Sequence, residues 1–258
     1  LLLFGELPTP AQLKEFTSKV TQYRDLPEEL VLILKALPKH TRPMDVLQMA
    51  VSSLGTFYDL EVSPEKVKGK KYDEKYFLNT SAALIGALGS IVAAWHRIRN
   101  GDEPISSKPD CTYAENFLHI LGAEKITPLM TRIMDATLVL HGEHTINAST
   151  FTAMVTSSTL ANASQVVASA IGSLSGPLHG GANEKVIAML QKIESKEEIR
   201  PWLDETLKAK NVVWGMGHRE YSVKDPRANI LTDMVQQLFD EREGGVTDIF
   251  EKAIELSL

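Results

Sequence analysis

The sequence predicts an all-helical fold, and three observations carry that prediction. Apolar residues recur at the helical period through most of the 258 residues. No segment alternates apolar and polar residues for the length of a half-buried strand. Glycines gather in two places, 172–181 and 215–217, and leave long uninterrupted runs elsewhere.

The elements follow in order. Pro8-Thr9-Pro10 opens a helix through Leu13, Phe16 and Val20. Leu26-Pro27-Glu28 opens a second, through Leu30, Ile33 and Leu34. Arg42-Pro43-Met44-Asp45 opens a third, with proline in the first turn and an acid at the positive end of the dipole. It should run to about Tyr58, and the charged stretch 66–73 reads as a loop. A long apolar helix is expected from about Tyr76 to Arg99. Its Ala82, Ala83, Gly86, Ala87, Gly89, Ala93 and Ala94 permit close helix packing. Asn100-Gly101-Asp102-Glu103-Pro104 stops it. Two further apolar helices are expected over Thr127 to Leu140 and Ala148 to Ile171. Another runs from Ala182 to about Gln191, and Asp225-Pro226 starts one through Ile230, Leu231 and Leu238.

With 43% hydrophobic residues the chain can build a substantial core, as one large domain or two unequal ones. Its 27 basic and 33 acidic side chains give a net charge of −6, which argues against nucleic-acid or membrane-surface partners. A local basic pocket for a small anion stays open. Cys111 is the single cysteine, so no disulfide and no cysteine-rich zinc site forms within the chain. A lone thiol fits a reducing compartment. No apolar run reads as a bilayer span, and Leu1-Leu2-Leu3-Phe4 lacks the basic flank of a signal peptide. The chain begins in mid-pattern without Met, which reads as a fragment at both ends.

Each glycine cluster holds a histidine. His179 lies in Gly176-Pro-Leu-His-Gly-Gly181, just before a helix, where glycines let backbone approach a ligand closely. The positive helix end favours a neutral imidazole, which can donate to a thioester oxygen and stabilise an enol. A turn histidine that caps the helix is the alternative. His218 follows Gly215-Met-Gly217, whose spacing is not a dinucleotide fingerprint. It reads as an exposed loop histidine or a catalytic one. Arg227 follows Asp225 as N-cap and Pro226 in the first turn, so a guanidinium and free backbone N–H groups coincide. It would clamp a carboxylate, or simply pair with Asp225. His141-Gly-Glu-His144 could place both histidines on one helix face, but it is not the zinc-protease pattern and no further ligand accompanies it. No metal site is expected. Asn147-Ala-Ser-Thr150 reads as a helix start beside His144. Walker loops and Gly-x-Ser-x-Gly elbows do not occur.

The order of these motifs is more specific than any one of them. His141-Gly-Glu-His144 with Asn147-Ala-Ser-Thr resembles the oxaloacetate-binding segment of citrate synthases. Gly176-Pro-Leu-His179-Gly-Gly-Ala-Asn183-Glu184 resembles that family's first catalytic-histidine motif. Gly215-Met-Gly-His218-Arg-Glu-Tyr221 with Lys224-Asp-Pro-Arg227 resembles the second. Leu3-Phe4-Gly5-Glu6-Leu7-Pro8-Thr9, Pro43-Met44-Asp45 and Ile91-Val-Ala-Ala-Trp95 fit the bacterial-type branch, so the resemblance covers nearly the whole chain.

That resemblance implies condensation of acetyl-CoA with oxaloacetate and water to citrate and CoA. His179 would stabilise the enol, and His218 would polarise the oxaloacetate carbonyl. His144, Asn147 and Arg227 would hold oxaloacetate. Val213, Trp214, Gly215, Met216 and Gly217 would lie against the adenine side of CoA, although Met216 stands where the family often has an aromatic residue. No cofactor is implied beyond the CoA thioester substrate. A large helical domain over 1–175 and a smaller closing domain over 176–258 are expected, in a cytoplasmic homodimer or larger homo-oligomer. The family's proton-abstracting aspartate sits in a segment like Pro-Asn-Val-Asp, expected beyond Leu258; Asp225, Asp233, Asp240 and Asp248 lie in no matching motif. A 2-methylcitrate synthase using propionyl-CoA is the nearest rival, and a non-catalytic helical assembly subunit the more distant one.

Overall fold

A computed structural model describes residues 1–60, 74–143, 145–216, 223–241 and 247–257. Among these, α-helices and short 3₁₀ turns make the fold, without strands. The chain divides into two compact units. The first comprises Leu1–Asp135 and His141–Leu174, the second Ala136–Leu140 and Ser175–Leu258.

The first unit is built around one helix. The elements α1 (Pro10–Gln22), α2 (Glu28–Ala36), α3 (Pro43–Ser53) and α5 (Tyr113–Leu121) all pack on α4 (Glu74–Asn100). Thr9 caps α1 through a reciprocal box with Gln12, which is why Thr9-Pro10 starts a helix at that point. The small residues of α4 do what their size allows. A Cβ on Gly86 would stand 2.6 Å from the Val20 carbonyl oxygen, and one on Gly89 would stand 2.7 Å from the Tyr113 hydroxyl. Tyr113 in turn donates to the Ile85 carbonyl at 2.8 Å, which pins α5 to α4. Leu30, Leu34, Val46, Ala50, Val51, Ile91 and Trp95 fill the core around this axis.

By length and composition α4 would reach across a bilayer, which corrects the expectation that no run does. More than half of its apolar window is buried in the unit, so its hydrophobicity serves a core. Ile33 also departs from expectation: Leu30 and Leu34 are fully buried, but Ile33 faces outward at 41% exposure. The third helix stops at Ser53 and passes into a 3₁₀ turn, Leu54–Thr56, instead of continuing to Tyr58.

The helix expected over Ala148 to Ile171 is two, α7 (Ala148–Ser157) and α8 (Ala163–Leu174). Serine and threonine cause the break. The hydroxyls of Ser157, Ser158 and Thr159 donate back to carbonyls three residues earlier. Leu160 then takes φ 62, and the Asn162 side chain accepts from the Gln165 N–H at 3.1 Å to start α8. The two helices pack side by side, with Thr156 Oγ1 and Ser169 Oγ 2.9 Å apart. Ahead of them in the chain, α6 (Pro128–Leu140) ends in residues assigned to the second unit.

The second unit contains α9 (Ala182–Leu190), α10 (Ile199–Lys208), α11 (Pro226–Asp240) and α12 (Asp248–Ser257). Met189, Leu190, Ile193, Ile199 and Val213 form its core, against Val186, Trp202, Leu203, Trp214 and Ala253. Lys252 is buried here, and its ammonium donates to the Ile193 carbonyl at 2.6 Å and to Asp248 at 2.5 Å. Phe239 of α11 meets Phe250 of α12 with ring centroids 5.1 Å apart. The sequence reading did not anticipate α5, α10 or α12.

Candidate active site

His179 sits in a turn that is closed from within. The Gly176 carbonyl accepts from the N–H of His179 at 3.0 Å and from that of Gly181 at 3.1 Å. Gly181 has an ordinary φ of −61, so conformational freedom is not why it is glycine. Space is the reason: a Cβ there would lie 2.6 Å from the Ser175 carbonyl oxygen and 2.7 Å from that of Gly176. The His179 carbonyl accepts from Ala182 at 3.1 Å, so the turn feeds directly into the first residues of α9. His179 is half-buried, three residues ahead of the first residue of α9, and the preceding Leu178 stands 95% exposed.

The segment 213–216 is a second tight turn, closed by the Met216 N–H on the Val213 carbonyl at 3.2 Å. Gly215 takes φ +91 at its third position, the left-handed requirement of a type II turn. Gly215 lies against α9, where a Cβ would come 3.2 Å from Val186 Cγ2. Val213 is buried and Trp214 packs on the same core, so these side chains hold the turn in place. What the turn presents outward is backbone and the half-exposed Met216. Both glycine turns are therefore referenced to α9, one leading into its first residues and the other a turn further on, ~6 Å along the axis. Gly217 and His218 lie outside the described residues.

Arg227 is held on two sides. Asp225 caps α11 by accepting from the Arg227 N–H at 2.9 Å. The same carboxylate takes Nε at 3.1 Å and Nη2 at 2.7 Å. Nη1 donates to the Leu140 carbonyl at 3.3 Å, one of the last carbonyls of α6 that no helical N–H can reach. Both charged side chains are little more than a quarter exposed. The Asp225 partner was open in the sequence; the Leu140 carbonyl, a backbone acceptor 87 positions away, carries no sequence signal.

The remaining candidates belong to the first unit. Asn147 caps α7, its Oδ1 accepting from the Thr150 N–H at 2.9 Å. Thr145 takes φ 55, which a β-branched residue rarely adopts, and the Glu143 carboxylate accepts its N–H at 2.5 Å. His144, between these two residues, lies outside the described residues. Among the described residues no three His, Cys, Asp or Glu side chains come together as a metal set. His179, 213–216 and Arg227 share the second unit, and Asn147 does not belong to it.

Comparison with known proteins gives these turns a context. The model of the family "Citrate synthase, C-terminal domain" matches residues 1–257. A citrate synthase of Synechocystis is 42% identical over 256 residues, covering 99% of this chain and 62% of its own length. A 2-methylcitrate synthase of Shewanella oneidensis is 36% identical over 239 residues, covering 92% and 61%. Among solved structures, the citrate synthase of Pyrobaculum aerophilum superposes with a TM-score of 0.88 at 31% identity, covering 99% of this chain and 64% of that one. The citrate synthase of Thermoplasma acidophilum, in a ternary complex with carboxymethyl coenzyme A and oxaloacetate, gives 0.85 at 27%, covering 99% and 65%. The chain thus spans a little under two thirds of these relatives. With a family model matching residues 1–257 and an all-helical fold shared with these structures, the chain belongs to the citrate synthase family.

Proposed function

We propose that this chain supplies most of the condensing site of a citrate synthase, which joins acetyl-CoA to oxaloacetate and hydrolyses the thioester to citrate and CoA. One observation carries the reading: the His179 turn and the 213–216 turn are both built against α9, in a unit that also holds Arg227 beside a helix start. In this mechanism His179 donates to the thioester oxygen as the methyl proton leaves, so that negative charge collects on an oxygen that is already hydrogen-bonded. The 213–216 turn, stiffened by Gly215, offers backbone to CoA. Arg227 and Asn147, with His144 and His218, hold and polarise oxaloacetate. The second unit acts as the closing domain, excluding water until the carbon–carbon bond has formed. The proton-abstracting carboxylate is not assigned to any aspartate of this chain.

No metal or organic cofactor enters this chemistry, and the site works in a cytoplasmic enzyme. A homodimer is supported by α7, where no residue is buried while Phe151, Met154 and Val155 are each more than half exposed. The relatives named 2-methylcitrate synthase support a second reading, in which propionyl-CoA replaces acetyl-CoA on the same residues. CoA release by the full-length protein tests both. Release that depends on oxaloacetate and prefers acetyl-CoA supports citrate synthase, and a propionyl-CoA preference moves the assignment to the rival. Release with neither, from folded protein, overturns the proposal in favour of a non-catalytic helical subunit.

A further inference from the structure

Asp225 is chemically stronger than the start of α11 requires. Its carboxylate caps the helix by accepting the Arg227 N–H at 2.9 Å. It also accepts from the side chain of the same residue, from Nε at 3.1 Å to each oxygen and from Nη2 at 2.7 Å. Capping alone does not call for a charge, because serine and asparagine cap as well as aspartate. Attracting a substrate anion does not call for one either. An acid in contact with a guanidinium offsets its charge and repels the incoming carboxylate.

What the acid adds is orientation. Its two oxygens lie along the Nε–Nη2 edge, and two parallel bonds of this kind fix the plane of a guanidinium. The Leu140 carbonyl at 3.3 Å engages Nη1, so all three nitrogens are held in place. Pro226 stands between the two residues, and its ring locks the backbone that joins them. Arginine carries much rotamer freedom, which a ligand has to freeze unless the protein has done so beforehand. We propose that Asp225 is a positioning residue for oxaloacetate, a role that rests on reading Arg227 as the oxaloacetate clamp. It acts through Arg227, setting the guanidinium in its binding orientation before the substrate arrives.

The test is steady-state kinetics of the full-length protein in Asp225→Ser, in Arg227→Ala and in the double variant. Serine keeps a capping oxygen but is too short to span the guanidinium edge. Asp225→Ser should raise the KM for oxaloacetate ~2–10-fold, the scale of one long side chain left for the ligand to immobilise. The KM for acetyl-CoA and the melting midpoint should stay close to wild type, and kcat should move less than the oxaloacetate KM. In the Arg227→Ala background the same substitution should leave the oxaloacetate KM where it was, because nothing remains for Asp225 to orient. An unchanged or lowered oxaloacetate KM in Asp225→Ser overturns the proposal. So does a rise that recurs in the double variant, which would be an effect of the helix start alone. Should Asp225→Ser not fold, Asp225→Asn decides, since it keeps the cap and loses one acceptor oxygen and the charge. A wild-type oxaloacetate KM in that variant overturns the proposal. Wild-type protein that releases no CoA with oxaloacetate refutes the clamp reading and the proposal together, whereas an unmoved KM in active enzyme refutes the proposal alone.

Discussion

Arg227 grips Asp225 side-on, with Nη2 2.7 Å from Oδ2 and Nε 3.1 Å from each carboxylate oxygen. One short sequence, Asp-Pro-Arg, thus caps a helix and orients a guanidinium at once. In the proposed enzyme Arg227→Ala should raise the KM for oxaloacetate ~10–100-fold, the scale of a lost charged hydrogen bond. The KM for acetyl-CoA should hardly move. Steady-state kinetics with each substrate varied in turn provides the check. An unchanged oxaloacetate KM would mean that Asp225 is the only carboxylate this arginine serves.

The His179 turn is tied by backbone groups, so its side chain can be removed without undoing it. His179→Ala should leave the helical circular dichroism and melting curve nearly unchanged while turnover falls by ~10²–10⁴. Near wild-type turnover would remove His179 from the chemistry.

Gly181→Ala is the steric counterpart. The added methyl would meet two carbonyl oxygens inside 2.8 Å, and backbone cannot swing aside as a side chain can. A loss of ~1–3 kcal/mol in denaturant unfolding is expected, the usual range for overpacking. Turnover should fall as well, because the turn that carries His179 must open. Full activity with full stability would show that the turn has slack.

Tyr113 gives the fold an alkaline limit. Burial holds its hydroxyl above the ordinary value of 10.0 while it donates to the Ile85 carbonyl. The unfolded chain therefore ionises this phenol first. The stabilisation it lends is complete below pH 10.0 and is lost as pH rises through the higher folded value. Tyr113→Phe should cost ~1 kcal/mol at neutral pH and flatten the fall of stability above pH 10. Burial raises Tyr58 and Tyr76 in the same direction, so some slope should persist. Parallel alkaline curves for wild type and variant would assign the slope elsewhere.

Local chemistry decides how far the sequence could be read. Thr9-Pro10 and Asp225-Pro226 carry their helix starts in their side chains, and both helices begin where expected. The break between α7 and α8 lies in a run of hydroxyl residues that are individually compatible with helix, so periodicity alone runs through it. The expectation passes over α5 and α10, although Thr112 caps α5 and Ile199, Trp202, Leu203 and Leu207 stand at helical spacing in α10. The site divides in the same way. Gly181 and Gly215 announce tight backbone, but whether space or φ demands the glycine is visible only in three dimensions. The Lys252 pair with Asp248 has the i,i+4 spacing of a helix face, but its bond to the Ile193 carbonyl depends on a tertiary neighbour that no residue type foretells.

The attachment of both glycine turns to α9 has a kinematic consequence. Two loops joined to one short rigid rod keep their mutual spacing whatever rotation that rod undergoes. If the second unit swings, His179 and the 213–216 turn travel as one piece. Their separation is then a constant of the motion.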